Sequence, residues 1–286
     1  MSDFVPLEKP TSFRRIAAAM WQKANDPTIY GALDLDATAL LAFLERYRES
    51  RGVKLTPTHV VARALALALR DMPEINAKVR FWGKLERRTT VDLFLQVSAE
   101  GGKDLSGARI ERADEKSIGD FADELRKRAD RIRKGSDASY EQSRGMFRSL
   151  PWWLGRLVLR ISGFLVNELH IDLSSRGMPS DPFGSAMITS VGMFGIDTAF
   201  APLPPIARAP ILILLPEIRR RPWVVGDAVV PRPVLRLCAT FDHRVVDGYQ
   251  AGRLARRMEE LLSNPELLDA TPEIAASDPA APAADA

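Results

Sequence analysis

Cysteine is almost missing from this sequence. Cys238 is the single one in 286 residues, which excludes a disulfide framework and a cysteine-rich zinc site. Histidine is nearly as scarce. His59, His170 and His243 are scattered rather than set at zinc-ligand spacing, so no metal is expected. Neither sign of charge dominates: 40 Lys+Arg stand against 37 Asp+Glu, a net charge of +3, and the two signs are interspersed. That gives no basic stripe for a nucleic acid. The N-terminus, MSDFVPLEKP, lacks the basic start and apolar run of a signal peptide. A long apolar run is lacking as well. The richest stretch, 151–169, is interrupted by Arg156 and Arg160 and falls short of the roughly 20 residues a spanning helix needs. A cytoplasmic protein is the expectation. The Trp and Arg residues of 151–167 would also suit a membrane surface, against the competing reading of a helix buried in the fold or at an oligomer interface.

What the chain does have is enough apolar residue, 46% of the total, to build a sizeable core. Helical and strand patterns alternate with no evident linker before residue 270, which predicts one α/β domain over 1–270. Residues 271–286 are Ala/Pro-rich and acidic (Glu273, Asp278, Asp285) with no apolar period, and read as a disordered tail. A first helix is expected over 13–24, capped by Thr11 or Ser12. A strand follows over 28–36, then a helix over 37–49 capped by Asp36, with Leu40, Leu41, Phe43, Leu44 and Tyr47 inward. Thr56 and Pro57 open a third helix whose apolar run reaches Leu69. A buried strand over 91–99, a charged amphipathic helix over 116–134 and a polar loop over 135–150 come next. After the Trp-rich segment, 182–190 enters a strand ending at Gly192, and 209–216 is a short apolar strand. Residues 223–230 read as a hairpin turning at Gly226-Asp227, and 234–240 as a further strand. A last helix over 249–262 is ended by Asn264-Pro265.

The chemistry concentrates in Phe241-Asp-His-Arg-Val-Val-Asp-Gly248. A histidine sits just past an apolar strand, where imidazole suits proton transfer near neutral pH. An aspartate follows four positions later beside Gly248, which permits a tight turn into the helix. From residue types alone, a structural histidine with an N-capping Asp247 fits the stretch equally well. The arginine triplet 219–221 reads as a solvated strand end before it reads as a phosphate site. His59 reads as a helix-face residue, and Cys238 as a buried strand residue.

The wider pattern narrows these readings. His-x-x-x-Asp-Gly, preceded by Asp and followed by a helix, resembles the catalytic domain of the dihydrolipoamide acyltransferases of 2-oxoacid dehydrogenase complexes. Residues 11–20 (TSFRRIAAAM) resemble that family's opening helix. Residues 55–77 (LTPTHVVARALALALRDMPEINA) are similar to its long helix and the Pro-x-Leu/Ile-Asn segment after it. ADEKSI (113–118), FGSAMITSVGMFGI (183–196) and the helix over 254–268 follow in the family's order. The resemblance spans most of 11–268. It implies a chloramphenicol acetyltransferase-like, two-layer α/β fold with a mixed sheet that forms trimers. It also implies acyl transfer between coenzyme A and a thiol such as dihydrolipoamide. His243 would be the general base. Thr189, placed in ITSVG like the family's Thr-Ile-Ser-Asn-Leu-Gly stretch, would donate to the oxyanion, with Ser190 beside it. Asp247 would hold the His243 loop, with Arg14 of the first helix as its expected partner and Gly248 in support.

The chain also departs from the family. It shows no lipoyl or subunit-binding domain and starts near the first catalytic helix, so a lipoyl group is expected from another protein. The family's Gly-Leu-x-x-Pro-Val-Ile-like stretch is replaced by GKDLSGARI (102–110), in a region that lines the family's substrate channel. An insertion of about 40 residues, roughly 136–178, precedes the Thr189 strand. The expected partners are further copies of the chain, as a homotrimer or a larger cage of trimers, and a separate lipoyl-carrying protein or dehydrogenase component. The alternative is an assembly scaffold built from trimers of the same fold with little or no catalysis.

Overall fold

Pro231 and Pro233 separate two expected strands in the sequence, yet the chain runs through both without a break. In the structure, a computed structural model describing residues 26–80, 83–99, 104–134, 152–169, 171 and 181–269, they lie in one 15-residue strand, β9 (Ala228–Asp242). The prolines fall where β9 has a ladder partner on one side only. β1 (Thr28–Asp36) joins from Val234 onward, while β8 (Arg219–Val225) pairs with the proline-bearing half across the Gly226-Asp227 turn. A proline missing its N–H is tolerated at such an edge. The expected 13–24 helix with Arg14, the 135–150 loop and the 271–286 tail lie outside the described residues.

Beyond β9 the sheet continues through β7 (Ile211–Leu215), β6 (Ala186–Ser190), β4 (Leu93–Ala99) and β5 (Asp104–Ile110). β4–β6 and β6–β7 are parallel, and the other pairs are antiparallel, so the seven-stranded sheet is mixed. Three strands were not legible in the sequence. β5 lies where only a departure from the family pattern was noted, and β2 (Ala77–Val79) and β3 (Leu85–Arg87) form a small separate hairpin. β5 carries Gly107 because the Phe94 ring of β4 lies over it, where an added Cβ would sit within 1.9 Å of a ring carbon. The cross-strand aromatic thus supplies the packing the glycine lacks.

One face of the sheet buries α1 (Thr38–Arg51), α2 (Pro57–Asp71), α3 (Ile118–Arg133) and α5 (Gly248–Ser263), with Leu237, Ala239 and Phe241 of β9 in the same core. The other face carries Met187, Leu212, Leu214 and Cys238 under the segment 199–209. Cys238 is buried there, as its strand position predicts, and burial raises its thiol pKa. In α1, Leu41 is exposed rather than inward: its neighbour Leu40 takes the core-facing position and the helical period turns Leu41 to solvent. Ala37 occupies the cap, although the Asp36 carboxylate still accepts the Thr38 N–H at 2.9 Å. α2 is buried all round, and Arg63 inside it donates to the carbonyls of Ala113, Asp114 and Leu268. Burial lowers its pKa to about 10, so it stays charged at neutral pH.

None of the described side chains of α4 (Trp152–Glu168) joins either core. The helix turns Ser162, Val166 and Asn167 inward and leaves Leu157, Ile161 and Phe164 exposed. Among the described residues no helix is long and apolar enough to cross a membrane.

His59 closes the N-terminus of α2: the backbone N–H of the Thr56 cap donates to its Nδ1 at 2.9 Å. Burial, helped by the positive charge of Arg126, lowers its pKa to about 4. The ring is neutral when folded and protonates near 6.5 when unfolded. This contribution is therefore complete above pH 6.5 and is lost as pH falls through 4, up to about 3 kcal/mol. Urea midpoints at pH 7 and pH 4 measure it. His59→Gln keeps an acceptor for the Thr56 N–H, and the variant is expected to lose less stability between the two pH values than wild type. An unchanged pH dependence would exclude His59 as its source.

Candidate active site

β9 delivers its last residue, Asp242, to the rim of the sheet, and the chain turns sharply there. The N–H groups of Val245 and Val246 both donate to the Asp242 carbonyl at 2.9 Å. His243 sits at the head of this turn. Its backbone N–H donates to the Pro27 carbonyl at 2.8 Å, which fastens the turn to the start of β1. Its Nδ1 lies 3.2 Å from the Val246 carbonyl. A carbonyl can only accept, so this contact requires the proton on Nδ1 and leaves the Nε2 lone pair free in the neutral ring. His243 is exposed.

Its two neighbours brace it, which sequence reasoning missed. The Asp242 carboxylate takes the Arg244 guanidinium on both oxygens, at 2.9 and 2.7 Å, and also accepts the Arg244 N–H at 3.0 Å. A bidentate pair spanning one residue locks the backbone on either side of the imidazole. The Asp-x-Arg spacing around His243 was the available signal.

Asp247 caps α5. Its carboxylate accepts from the N–H groups of Tyr249 and Gln250 at 2.8 and 3.1 Å, and the Gln250 side chain accepts the Asp247 N–H at 3.0 Å. This is a complete capping box, so Asp247 fixes the far end of the His243 turn through the helix terminus. Arg14, its expected partner, lies outside the described residues. Gly248 does not make the turn: its φ is not left-handed and an added Cβ would meet nothing within 4 Å.

Thr189 and Ser190 end β6, Thr189 half-buried and Ser190 exposed, with alternation putting Thr189 on the Met187 and Cys238 side of the sheet. The register then separates them from His243. Thr189 is level with Leu214 of β7, and Leu214 with Cys238 of β9. His243 lies five residues past Cys238, about 16 Å along the strand at 3.3 Å per residue, and two strands over, about 10 Å more across the sheet. The expected general base and the expected oxyanion donor therefore occupy opposite ends of the sheet within one chain.

A cleft of about 710 Å3 opens beside the His243 turn, lined in part by Pro27, Arg80, Leu203, Arg208, Asp242 and Arg244. The arginine triplet lies apart from it on β8, with Arg219 paired to Glu217 and Arg221 to Asp197. His170 lies outside the described residues. Among the described residues no group of His, Cys, Asp and Glu has the arrangement to hold a metal ion.

The family model for the catalytic domain of the 2-oxoacid dehydrogenase acyltransferases matches residues 8–148 and 180–269. The dihydrolipoyllysine-residue acetyltransferase component of the pyruvate dehydrogenase complex of Zymomonas mobilis is 27% identical over 263 residues, covering 90% of this chain. The chain spans 50% of that relative's length. Among solved structures, the dihydrolipoamide acetyltransferase of Azotobacter vinelandii superposes with a TM-score of 0.64 at 23% identity, covering 92% of this chain and 99% of that one. A chloramphenicol acetyltransferase superposes at 0.51 with 12% identity, over 87% of this chain and 94% of that one. These likenesses agree with the mixed sheet and two-layer fold expected from the sequence. The chain belongs to the 2-oxoacid dehydrogenase acyltransferase family, through its catalytic domain.

Proposed function

We propose that this chain moves an acyl group between coenzyme A and a thiol such as dihydrolipoamide, with His243 as general base. The observation that carries the reading is the His243 ring, whose Nδ1 is held on the Val246 carbonyl so that Nε2 is the free basic nitrogen. Nε2 takes the proton from the attacking S–H, and the thiolate adds to the carbonyl carbon of the acyl thioester. The carbonyl electron pair moves to oxygen, and the Thr189 hydroxyl donates to that oxyanion. When the intermediate collapses, the second thiolate leaves and takes the proton back from the imidazolium. No covalent acyl-enzyme and no metal enter the cycle.

Thr189 meets His243 only if it comes from another copy, because the two lie at opposite ends of one chain's sheet. The residues after β6 suit such a contact: Met193 and Phe194 are 78% and 60% exposed, an apolar surface that a second subunit would cover. The assembly is a trimer or a larger cage of trimers, and the lipoyl group comes from a separate carrier protein or dehydrogenase component. In the Azotobacter enzyme a serine, a histidine and an asparagine were investigated for their role in catalysis. Thr189, His243 and Asp247 offer a hydroxyl, an imidazole and a turn-holding side chain here.

The test is acyl exchange followed by mass spectrometry, with a panel of short acyl-CoAs and dihydrolipoamide. Acyl-dihydrolipoamide is the expected product. If the assembled protein forms none with any donor, the lipoyl acceptor is wrong, and the scaffold reading gains if no other acceptor is acylated.

A further inference from the structure

The matched family residues leave out 149–179, and α4 lies wholly inside that gap. One of its side chains reaches the active-site cleft indirectly. Glu168, at the last turn of α4, is 7% exposed. Its Oε2 accepts from Arg80 Nε at 3.1 Å, its Oε1 accepts from Arg208 Nη1, and its carbonyl accepts from Arg80 Nη2. Arg80 and Arg208 both line the cleft beside His243. α4 also packs along the outer side of the same wall, where a Cβ on Gly163 would lie 3.8 Å from Ile206.

Arg208 needs such a hold. Its φ is +49°, a left-handed conformation that is unfavourable for a non-glycine residue and persists only where the surroundings impose it. Glu168 grips its guanidinium, which also reaches the Val79 carbonyl at 3.4 Å. Arg88 donates to its carbonyl at 3.3 Å and is itself fixed by both oxygens of Asp181, at 2.6 and 2.9 Å. The wall 203–208 is thus clamped from two sides, and one jaw belongs to residues the family model does not match.

We propose that α4 is a specificity element: Glu168 is a positioning residue that sets the cleft wall at Arg80 and Arg208, and that cleft takes the flexible arm of one thiol substrate. This rests on the acyl-transfer reading above. The lining alternates apolar Pro27, Leu203 and Pro204 with paired charges such as Arg244–Asp242. Paired charges leave little net field, so the lining suits an uncharged, amide-bearing chain that ends in sulfur. The arm of coenzyme A and the arm of a lipoyl group share that chemistry.

Binding of coenzyme A and of dihydrolipoamide is measured separately by titration calorimetry on assembled wild type, Glu168→Ala and Glu168→Gln, beside KM and kcat for each. Glu168→Ala is expected to weaken one of the two ligands about tenfold and raise its KM in proportion, with the other ligand within about twofold and kcat within about threefold. Glu168→Gln keeps its acceptor oxygen and is expected to fall between. The ligand that weakens identifies the arm held in the cleft. Glu74→Ala breaks an exposed ion pair remote from the cleft, to Arg253 at 2.8 Å on the α2 and α5 side, and is expected to leave both affinities unchanged. Wild-type affinities and kinetics in Glu168→Ala, with only a lower melting temperature, would reduce Glu168 to an anchor for α4 and overturn the inference. Equal weakening in Glu74→Ala would do the same. A wild-type protein that binds neither ligand and turns over neither would remove the acyl-transfer reading, and this inference with it.

Discussion

His243→Ala is expected to lower the rate of acyl transfer to dihydrolipoamide by about 10²- to 10⁴-fold, the range a positioned general base supplies. The protein's stability should hardly move. The side chain is exposed and, among the described residues, its hydrogen bond is to the Val246 carbonyl at 3.2 Å. The bond that ties the turn to β1 comes from the backbone N–H, which alanine retains. The brace between Asp242 and Arg244 and the Asp247 cap also remain. Loss of activity with an unchanged melting curve therefore separates chemistry from folding. Initial rates with saturating acyl-CoA measure it, and wild-type turnover in the variant would dismiss His243 as the base.

Thr189→Val is expected to cost about 10²- to 10³-fold, the usual loss when one oxyanion donor is removed. Valine is close to isosteric with threonine at this half-buried strand position, so the sheet is preserved. The sharper experiment combines the two variants. His243 and Thr189 lie at opposite ends of one chain's sheet, so on the proposed reading each site draws its base from one copy and its donor from another. Co-assembling inactive His243→Ala and Thr189→Val chains in equal amounts should return about a quarter of wild-type activity. Random mixing gives each interface an even chance of an intact residue on either side. Mixing preformed assemblies that do not exchange subunits should return none. No recovery after verified co-assembly would refute the shared site.

These two experiments probe what was read at different levels. The residues 241–248 announce themselves locally: an apolar strand, a histidine at its end, and an aspartate that caps the next helix all lie within eight positions. The edges of β1, the Thr56-Pro57 start of α2 and the Gly226-Asp227 turn were equally legible. Each is fixed by neighbours in the chain, through alternation, φ restriction and capping. Leu41 was misassigned because the apolar residues at 40 and 41 leave the helix face ambiguous, and packing against the sheet resolved it. β5 is not legible because Gly107 breaks the strand pattern, while its pairing along β4 and the Phe94 ring over Gly107 are set by a neighbouring strand.

The sequence by itself determined the helices and most of the strands of the main sheet, the chemistry available in the 241–248 stretch and the family it resembles. The tertiary structure decided the continuity of β9 through its prolines, since a proline is tolerated in a strand where its missing N–H faces no ladder partner, and only the sheet shows that β1 begins at Val234. It decided that Thr189 and His243 lie apart, since strand register is a relation between residues distant in the chain. It also decided that Glu168 grips Arg80 and Arg208, 88 and 40 positions away. Contacts of that separation leave no periodic or spacing signal in a single sequence, because they are set by how the elements pack and not by what stands next to them.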